Sequence, residues 1–417
     1  MLIIYNYTQK NIVWNGVCSM TRGYNTSLEM HGLHKGKMET VSKVPLDNRV
    51  DLSLAYSPGV AEPCLEIAKN PSAVYEYTIK GNLVAVVTDG TAVLGLGDIG
   101  PEAALPVMEG KALLLKRYAN VDSFPICLNT TDVDEIVQTI KAISPTFGAI
   151  NLEDISAPRC FEIEQRLRAE CSIPVFHDDQ HGTAIVVGAG LLNALKVVNK
   201  DMKSVKIAVN GAGAAGIAIV KHLLNLGFEH IVICDSTGII YKGRPNGMNA
   251  TKHEIAEITN PQGLTGSLQD AMTGADVFIG VSVANLLTKE LIDCMNPDPI
   301  VFGLANPNPE IAPNKAEEYG VRIIATGRSD FPNQVNNVLA FPGIFRGALD
   351  VRASEINESM KLAATYAIAS LINEADLRDD YIIPDPFDER VVKAVAHAVG
   401  EAAIESGVSA IKEYVSQ

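Results

Sequence analysis

Long apolar runs are missing from this chain. The longest, residues 184–198, is interrupted by Gly188, Gly190, Asn193 and Lys196. A membrane span needs about 20 predominantly apolar residues, so a buried helix is expected there and no membrane partner. Basic charge is also short. With 34 Lys and Arg against 49 Asp and Glu, the net charge is −15; too little positive charge is left to neutralise phosphates, which excludes a nucleic-acid partner. The seven cysteines are odd in number and form no CxxC pair, which excludes a disulfide framework and fits free thiols in the cytoplasm. Repeats and low-complexity segments are absent. Residues 1–29 lack an acid before Glu29, a charged start and a cleavage site, so they read as an N-terminal extension rather than a secretory leader. What remains is ordinary globular sequence, 47% hydrophobic and 20% charged, long enough at 417 residues for two or three domains.

The most informative stretch runs from Ile150 to Thr183. It opens on an apolar run, FGAINLEDI, ending in Glu153 and Asp154, and closes on IPVFHDD, ending in Asp178 and Asp179. Between them FEIEQRLRAEC has helical length and amphipathic spacing, so the unit reads strand, helix, strand. A right-handed crossover lays the two strands parallel, which puts both acidic pairs on one edge of the sheet. Gathered carboxylates repel unless a cation or proton sits among them. A hard divalent ion, Mg²⁺ or Mn²⁺, is the expected occupant. His177 and His181 stand four apart like zinc ligands on a helix, but the Glu of HExxH is lacking and oxygen donors dominate.

Upstream, LVAVVTDG reads as a buried strand followed by a loop with Gly95, Gly97 and Gly100. Lys111 comes next, beside aliphatic residues whose low polarity would depress an ammonium pKa. Tyr56 precedes Ser-Pro-Gly, a turn that can aim its phenol; alone, a tyrosine there is as well explained by packing. Downstream, VKIAVN leads into Gly211, Gly213 and Gly216 with Ala214 and Ala215 between them, then an apolar helix. A second strand then ends at Asp235, 19 residues after Gly216. Strand, GxGxxG, helix, strand and terminal acid together are a dinucleotide fingerprint, with the pyrophosphate on the helix N-terminus and Asp235 on the ribose hydroxyls. Ser236 and Thr237 supply no adjacent cation, which favours NAD; Lys242 and Arg244 keep NADP open. Further strand-loop units bring Ser282, then Asn306 in ANPNP, then Asn336 and Asn337, neutral amides suited to an acidic substrate.

In this order AYSPGVAEPC, TDGTAVLGLGDIG, EGKALL, NLEDI, FHDDQHGTA, NGAGAAG, ANPNPE and TGRSDFPNQVNNVLAFPG resemble the malic enzymes, in particular the small-subunit bacterial type. The resemblance covers the chain from about residue 40 onward. It implies an α/β fold: a Rossmann-like doubly wound nucleotide domain plus an α/β substrate domain with C-terminal helices. Implied boundaries are an extension 1–29, a substrate domain 30–177, a nucleotide domain 178–336 and a helical segment 337–417 packing back on the substrate domain. By the same resemblance Glu153, Asp154 and Asp179 ligate Mg²⁺ or Mn²⁺. Lys111 is the general base, Tyr56 the general acid, and Asp178 supports the lysine. Asn306, Asn336 and Asn337 bind substrate. Gly211, Gly213, Ala214, Ala215, Gly216, Asp235, Ser282 and Asn306 bind NAD or NADP.

The implied reaction is oxidative decarboxylation of (S)-malate to pyruvate and CO₂ by a cytoplasmic homodimer. Malolactic or oxaloacetate-decarboxylating activity on the same scaffold is the alternative, as is a non-catalytic dinucleotide-binding regulator. One departure stands out: Ala92 occupies the place where larger members carry an arginine for the malate carboxylate, so the holder of the second carboxylate is open.

Overall fold

The computed structural model of the protein describes residue 24 and residues 26–414. The first 23 residues of the N-terminal extension thus lie outside the described residues. The described residues up to Lys37 belong to one compact unit and those from Met38 onward to another. In the first, Thr26 caps the helix Ser27–His34 by accepting from the Glu29 amide (3.1 Å).

The larger unit contains two sheets. In the first, β1 (Leu83–Thr88), β2 (Asp122–Cys127), β3 (Ala149–Leu152) and β4 (Val175–His177) lie in the order β2-β1-β3-β4, all parallel. Strands covered on both faces read as continuous apolar runs, and β1 is buried at every position. Val84 and Val86 face Met108 and Leu115, whereas Ala85 and Val87 face Ile136, Ile140 and Ile163. The expected unit of strand, helix Arg159–Glu170 and parallel strand is present as β3 and β4.

The second sheet holds β5 (Lys206–Asn210), β6 (His230–Asp235), β7 (Gly238–Ile239), β8 (Val277–Gly280), β9 (Ile300–Gly303) and β10 (Ile323–Thr326). Their order is β10-β9-β8-β5-β6-β7, with only β7 antiparallel. The order reverses at β5, where open α/β sheets bind ligands. Between the sheets runs the helix Asp178–Val197, the interrupted apolar segment noted above. It is buried along most of its length and is pinned by Asn193, which donates to Ala369 O and Ile382 O at 3.0 Å each. Of the C-terminal helices Phe341–Asp350, Glu358–Ala369 and Arg390–Glu405, the first returns to the first sheet: Phe345 meets Phe176 edge to face at 5.7 Å, and Arg346 donates to Asn82 (2.6 Å). Among the described residues no helix is long and apolar enough to cross a membrane.

Candidate active site

Strands β1, β3 and β4 all end on one edge, and their following residues carry the charge. Glu153 and Asp154 follow β3, and Asp178 and Asp179 open the long helix after β4. The helix Pro101–Ala119 brings Lys111 into the same place. Its Nζ lies 2.6 Å from Asp178 Oδ2 and 2.8 Å from Glu153 Oε1, with only 7% of the residue exposed. The Phe341 ring lies 4.4 Å from the same nitrogen. Asn337 donates to Asp178 Oδ2, and Asn151 donates to Glu153 Oε2 at 2.7 Å. Each acid that touches the lysine is therefore itself held by an amide.

The lysine departs from expectation in its charge. Burial pushes its pKa down, as the sequence suggested, but Asp178, Glu153 and Asp179 together outweigh burial and hold the ammonium above its ordinary range. The local apolar sequence conveyed only the first of these effects.

Oxygen atoms of Glu153, Asp154 and Asp179 lie within 4.8 Å of one another. Asp179 Oδ2 accepts from the Asp154 amide (2.7 Å), while Asp154 Oδ2 is buried without a hydrogen-bond partner. Asp154 also sits at φ +54°, a left-handed conformation unusual for a non-glycine and typical of constrained sites. Burial raises the pKa of all three carboxyls, with added repulsion from Asp179 on Glu153 and Asp154 and from Asp178 on Asp179. An orphaned carboxylate oxygen inside an all-oxygen cluster of raised acids fits a hard divalent cation. Of the two histidines, His181 is engaged elsewhere. His181 Nε2 lies 2.6 Å from Glu164 Oε1, and Lys361 Nζ donates to its Nδ1 at 3.1 Å. Burial holds His177 neutral, its pKa pushed down to about 4.

Gly182 is fixed by the same geometry. A Cβ there would fall 1.9 Å from Asp178 Oδ1. Gly182→Ala should push that carboxylate off Lys111 and lower kcat by about 10²-fold, the usual cost of a misplacement near 1 Å. Helix propensity alone favours alanine by about 1 kcal/mol, so a thermal melt showing retained stability beside lost activity would identify displacement of the site.

At the second sheet, Gly211 has φ +116°, and a Cβ on Gly216 would fall 1.7 Å from Gly211 O. These two glycines let β5 turn tightly into the helix Ala214–Leu226, whose N-cap is Gly213. Ala214 and Ala215 form its first turn, where amides stand open for an anion. Asn210 donates to Ser282 Oγ at 2.7 Å. Asp235 differs from expectation. Arg244 forks onto both its oxygens (2.8 and 2.6 Å) and Lys252 donates to Oδ2 (2.6 Å), holding the carboxyl well below its usual range against the effect of burial. Arg244, one of the two cations that kept NADP open, therefore adjoins the strand end together with Lys252, which the sequence reading did not name. Lys242 instead pairs with Glu257.

The remaining candidates divide. The Asn336 side chain accepts from the Val338 amide (2.9 Å), capping a short turn, whereas Asn337 reaches the cluster. Asn306 meets the glycine loop through its backbone: a Cβ on Gly95 would fall 2.1 Å from Asn306 O. Tyr56 is 69% exposed at the end of the helix Arg49–Ala55. Sequence reasoning missed Arg159, which spans the loops flanking Asp154. It donates to Asp89 Oδ2 (2.8 Å), Thr131 O (2.9 Å), and Thr91 Oγ1 and Ser156 Oγ (both 3.0 Å).

Comparison with known proteins gives consistent relatives. The family described as "Malic enzyme, N-terminal domain" matches residues 35–168, and "Malic enzyme, NAD binding domain" matches residues 180–404. The chain is 65% identical over 385 residues to a bifunctional malic/malolactic enzyme of Bacillus subtilis, covering 92% of this chain and 94% of that one. It is 60% identical over 374 residues to an NAD-dependent malic enzyme of Geobacillus stearothermophilus, covering 90% and 78%. Among solved structures, an NAD-dependent malic enzyme from Thermotoga maritima superposes with a TM-score of 0.88 at 51% identity, covering 90% of this chain and 99% of that one.

Proposed function

Because the chain belongs to the malic enzyme family, we infer that it oxidises (S)-malate with NAD(P)⁺ and releases pyruvate and CO₂. The observation that carries the residue assignments is the buried Lys111 held between Glu153 and Asp178, beside three converging carboxylates. In this reading Lys111 accepts the C2 hydroxyl proton as the substrate's hydride passes to the dinucleotide. Asp178, steadied by Asn337, keeps Nζ on the reacting face, and Phe341 closes the side away from water. Glu153, Asp154 and Asp179 would hold Mg²⁺ or Mn²⁺, which when bound polarises the C2 oxygen, stabilises charge left on it after CO₂ departs, and offsets the acids that keep Lys111 protonated. Asn306 and Asn337 would donate to the substrate's carboxylates; Asn336 would act on them through the turn it caps.

Protonation of C3 falls to Tyr56, whose phenol is exposed in the single chain. The helices around it also expose Leu52, Leu54, Val60 and Leu65, apolar surface that a homodimer would cover. A second copy would then bring Tyr56 to its neighbour's cluster. Mixing Tyr56→Phe and Lys111→Ala subunits should restore about half the activity of one complete site per dimer if the phenol crosses over, and none if it does not.

The functional boundaries in this reading remain near residues 177 and 337, and a cytoplasmic setting agrees with the free state of the six described cysteines. Absorbance at 340 nm with malate and Mn²⁺ tests the reaction: accumulating NADH or NADPH supports it, whereas lactate without net cofactor reduction would replace it with malolactic turnover. Running the assay with both nucleotides sets the preference. Asp235 argues for the 2′-hydroxyl of NAD, and the adjoining Arg244 and Lys252 for the 2′-phosphate of NADP.

A further inference from the structure

We propose that Glu310 is a positioning residue for the dinucleotide: its buried carboxylate fixes the two loops that leave β8 and β9 at the cofactor edge. The proposal rests on the dinucleotide-binding reading above and adds a residue to it. Glu310 is 0% exposed, and among the described residues no lysine, arginine or histidine pairs with it. A buried carboxylate without a cation is costly unless other donors satisfy it. Here the donors are loop groups. Oε1 accepts from the Ser282 amide at 2.9 Å and from the Ser282 hydroxyl at 3.4 Å, and Oε2 accepts from the Ala305 amide at 3.0 Å. Each oxygen thus serves one loop. The Glu310 backbone adds to this by accepting from the Leu287 amide at 3.0 Å.

The strands have made room for it. β8 and β9 both end in glycine, and Gly280 and Gly303 are direct neighbours in the register. A Cβ on Gly280 would fall 2.4 Å from Glu310 Cδ; one on Gly303 would lie 3.6 Å from Oε2. The side chain therefore crosses the sheet edge over a matched glycine pair. Beside it Val281 O closes on Gly211, the first glycine of the phosphate turn, where a Cβ would fall 2.6 Å away. By the family resemblance, Ser282 and the residue after Ala305, Asn306, both bind the nucleotide. A charge-assisted bond to each loop sets their spacing, and a carboxylate is the only acidic group able to serve both amides at once.

Glu310→Gln keeps the volume but turns an amino group toward an amide donor. The Kd for NADH, read by its fluorescence, should rise about 10-fold or more, as expected for displaced binding loops. KM for NAD(P)⁺ should rise in step while kcat at saturating nucleotide changes less, and Mn²⁺ affinity measured by electron paramagnetic resonance should hold. Gly280→Ala, which retains the carboxylate but displaces it, should give the same pattern and decides the matter if the glutamine variant does not fold. NADH binding at the wild-type level in either folded variant overturns the proposal, as does a parallel loss of NADH and Mn²⁺ affinity. Wild-type protein that binds neither NADH nor NADPH would instead overturn the dinucleotide reading beneath it.

Discussion

Replacing Lys111 with alanine should lower kcat for malate-dependent NAD(P)⁺ reduction by about 10²–10⁴-fold, the range for a positioned general base. The larger figure corresponds to about 5.4 kcal/mol of barrier. Charge and proton transfer can be separated here. Lys111→Arg keeps a cation between Glu153 and Asp178, which lie 2.8 and 2.6 Å from the native nitrogen, yet a guanidinium does not give up its proton in a protein. The arginine variant should therefore be as inactive as alanine while remaining the better folded of the two. Alanine leaves two buried acids without their cation, which for a buried pair costs about 3–5 kcal/mol; part of that is relieved because burial already raises both acids toward neutral forms. Steady-state rates and thermal melts on both variants check this. Substantial turnover by Lys111→Arg would remove the lysine from the proton-transfer role.

How much of this was legible in the sequence depends on the range of the interaction. The βαβ unit around β3 and β4 was legible, because period and turn chemistry are local. So was the convergence of Glu153, Asp154 and Asp179, since parallel strands end on one edge. The glycine fingerprint was legible because each glycine answers a backbone need within a few residues. The charge state of Lys111 was not: Asp178, 67 positions away in sequence, sets it together with Glu153 and Asp179. Lys252 was missed as a partner of Asp235 because 17 residues and a turn separate them. Choosing Asn337 over Asn336 required knowing which of two adjacent amides caps its own turn. Glu164 did leave a signal. It falls on the helix stripe of Cys160, Ile163 and Leu167, all buried, and an acid on such a stripe marks a buried polar partner, here His181.

Removing divalent cations should abolish turnover and reverse how the protein's stability responds to pH. Burial first, and then repulsion among the acids, push Asp179 up to about 6, Glu153 up to about 7 and Asp154 up to about 9. Unfolded carboxyls titrate near 4. In the metal-free protein these groups therefore add stability that is fully present below about pH 4 and is lost as pH climbs through their folded values. A cation needs the opposite protonation state, so its affinity should rise over pH 6–9, by about tenfold per pH unit for each proton it displaces. The gap between melting temperatures in Mn²⁺ and in EDTA should accordingly widen from pH 6 to pH 9. Asp154→Asn should remove the upper part of that widening, because Asp154 carries the highest of the three values and the orphaned oxygen. Its Mn²⁺ affinity should fall by about 10²-fold at pH 8, in keeping with the loss of one charged ligand. A gap that stays constant with pH, or turnover that survives exhaustive chelation, would show that these carboxylates hold no catalytic cation.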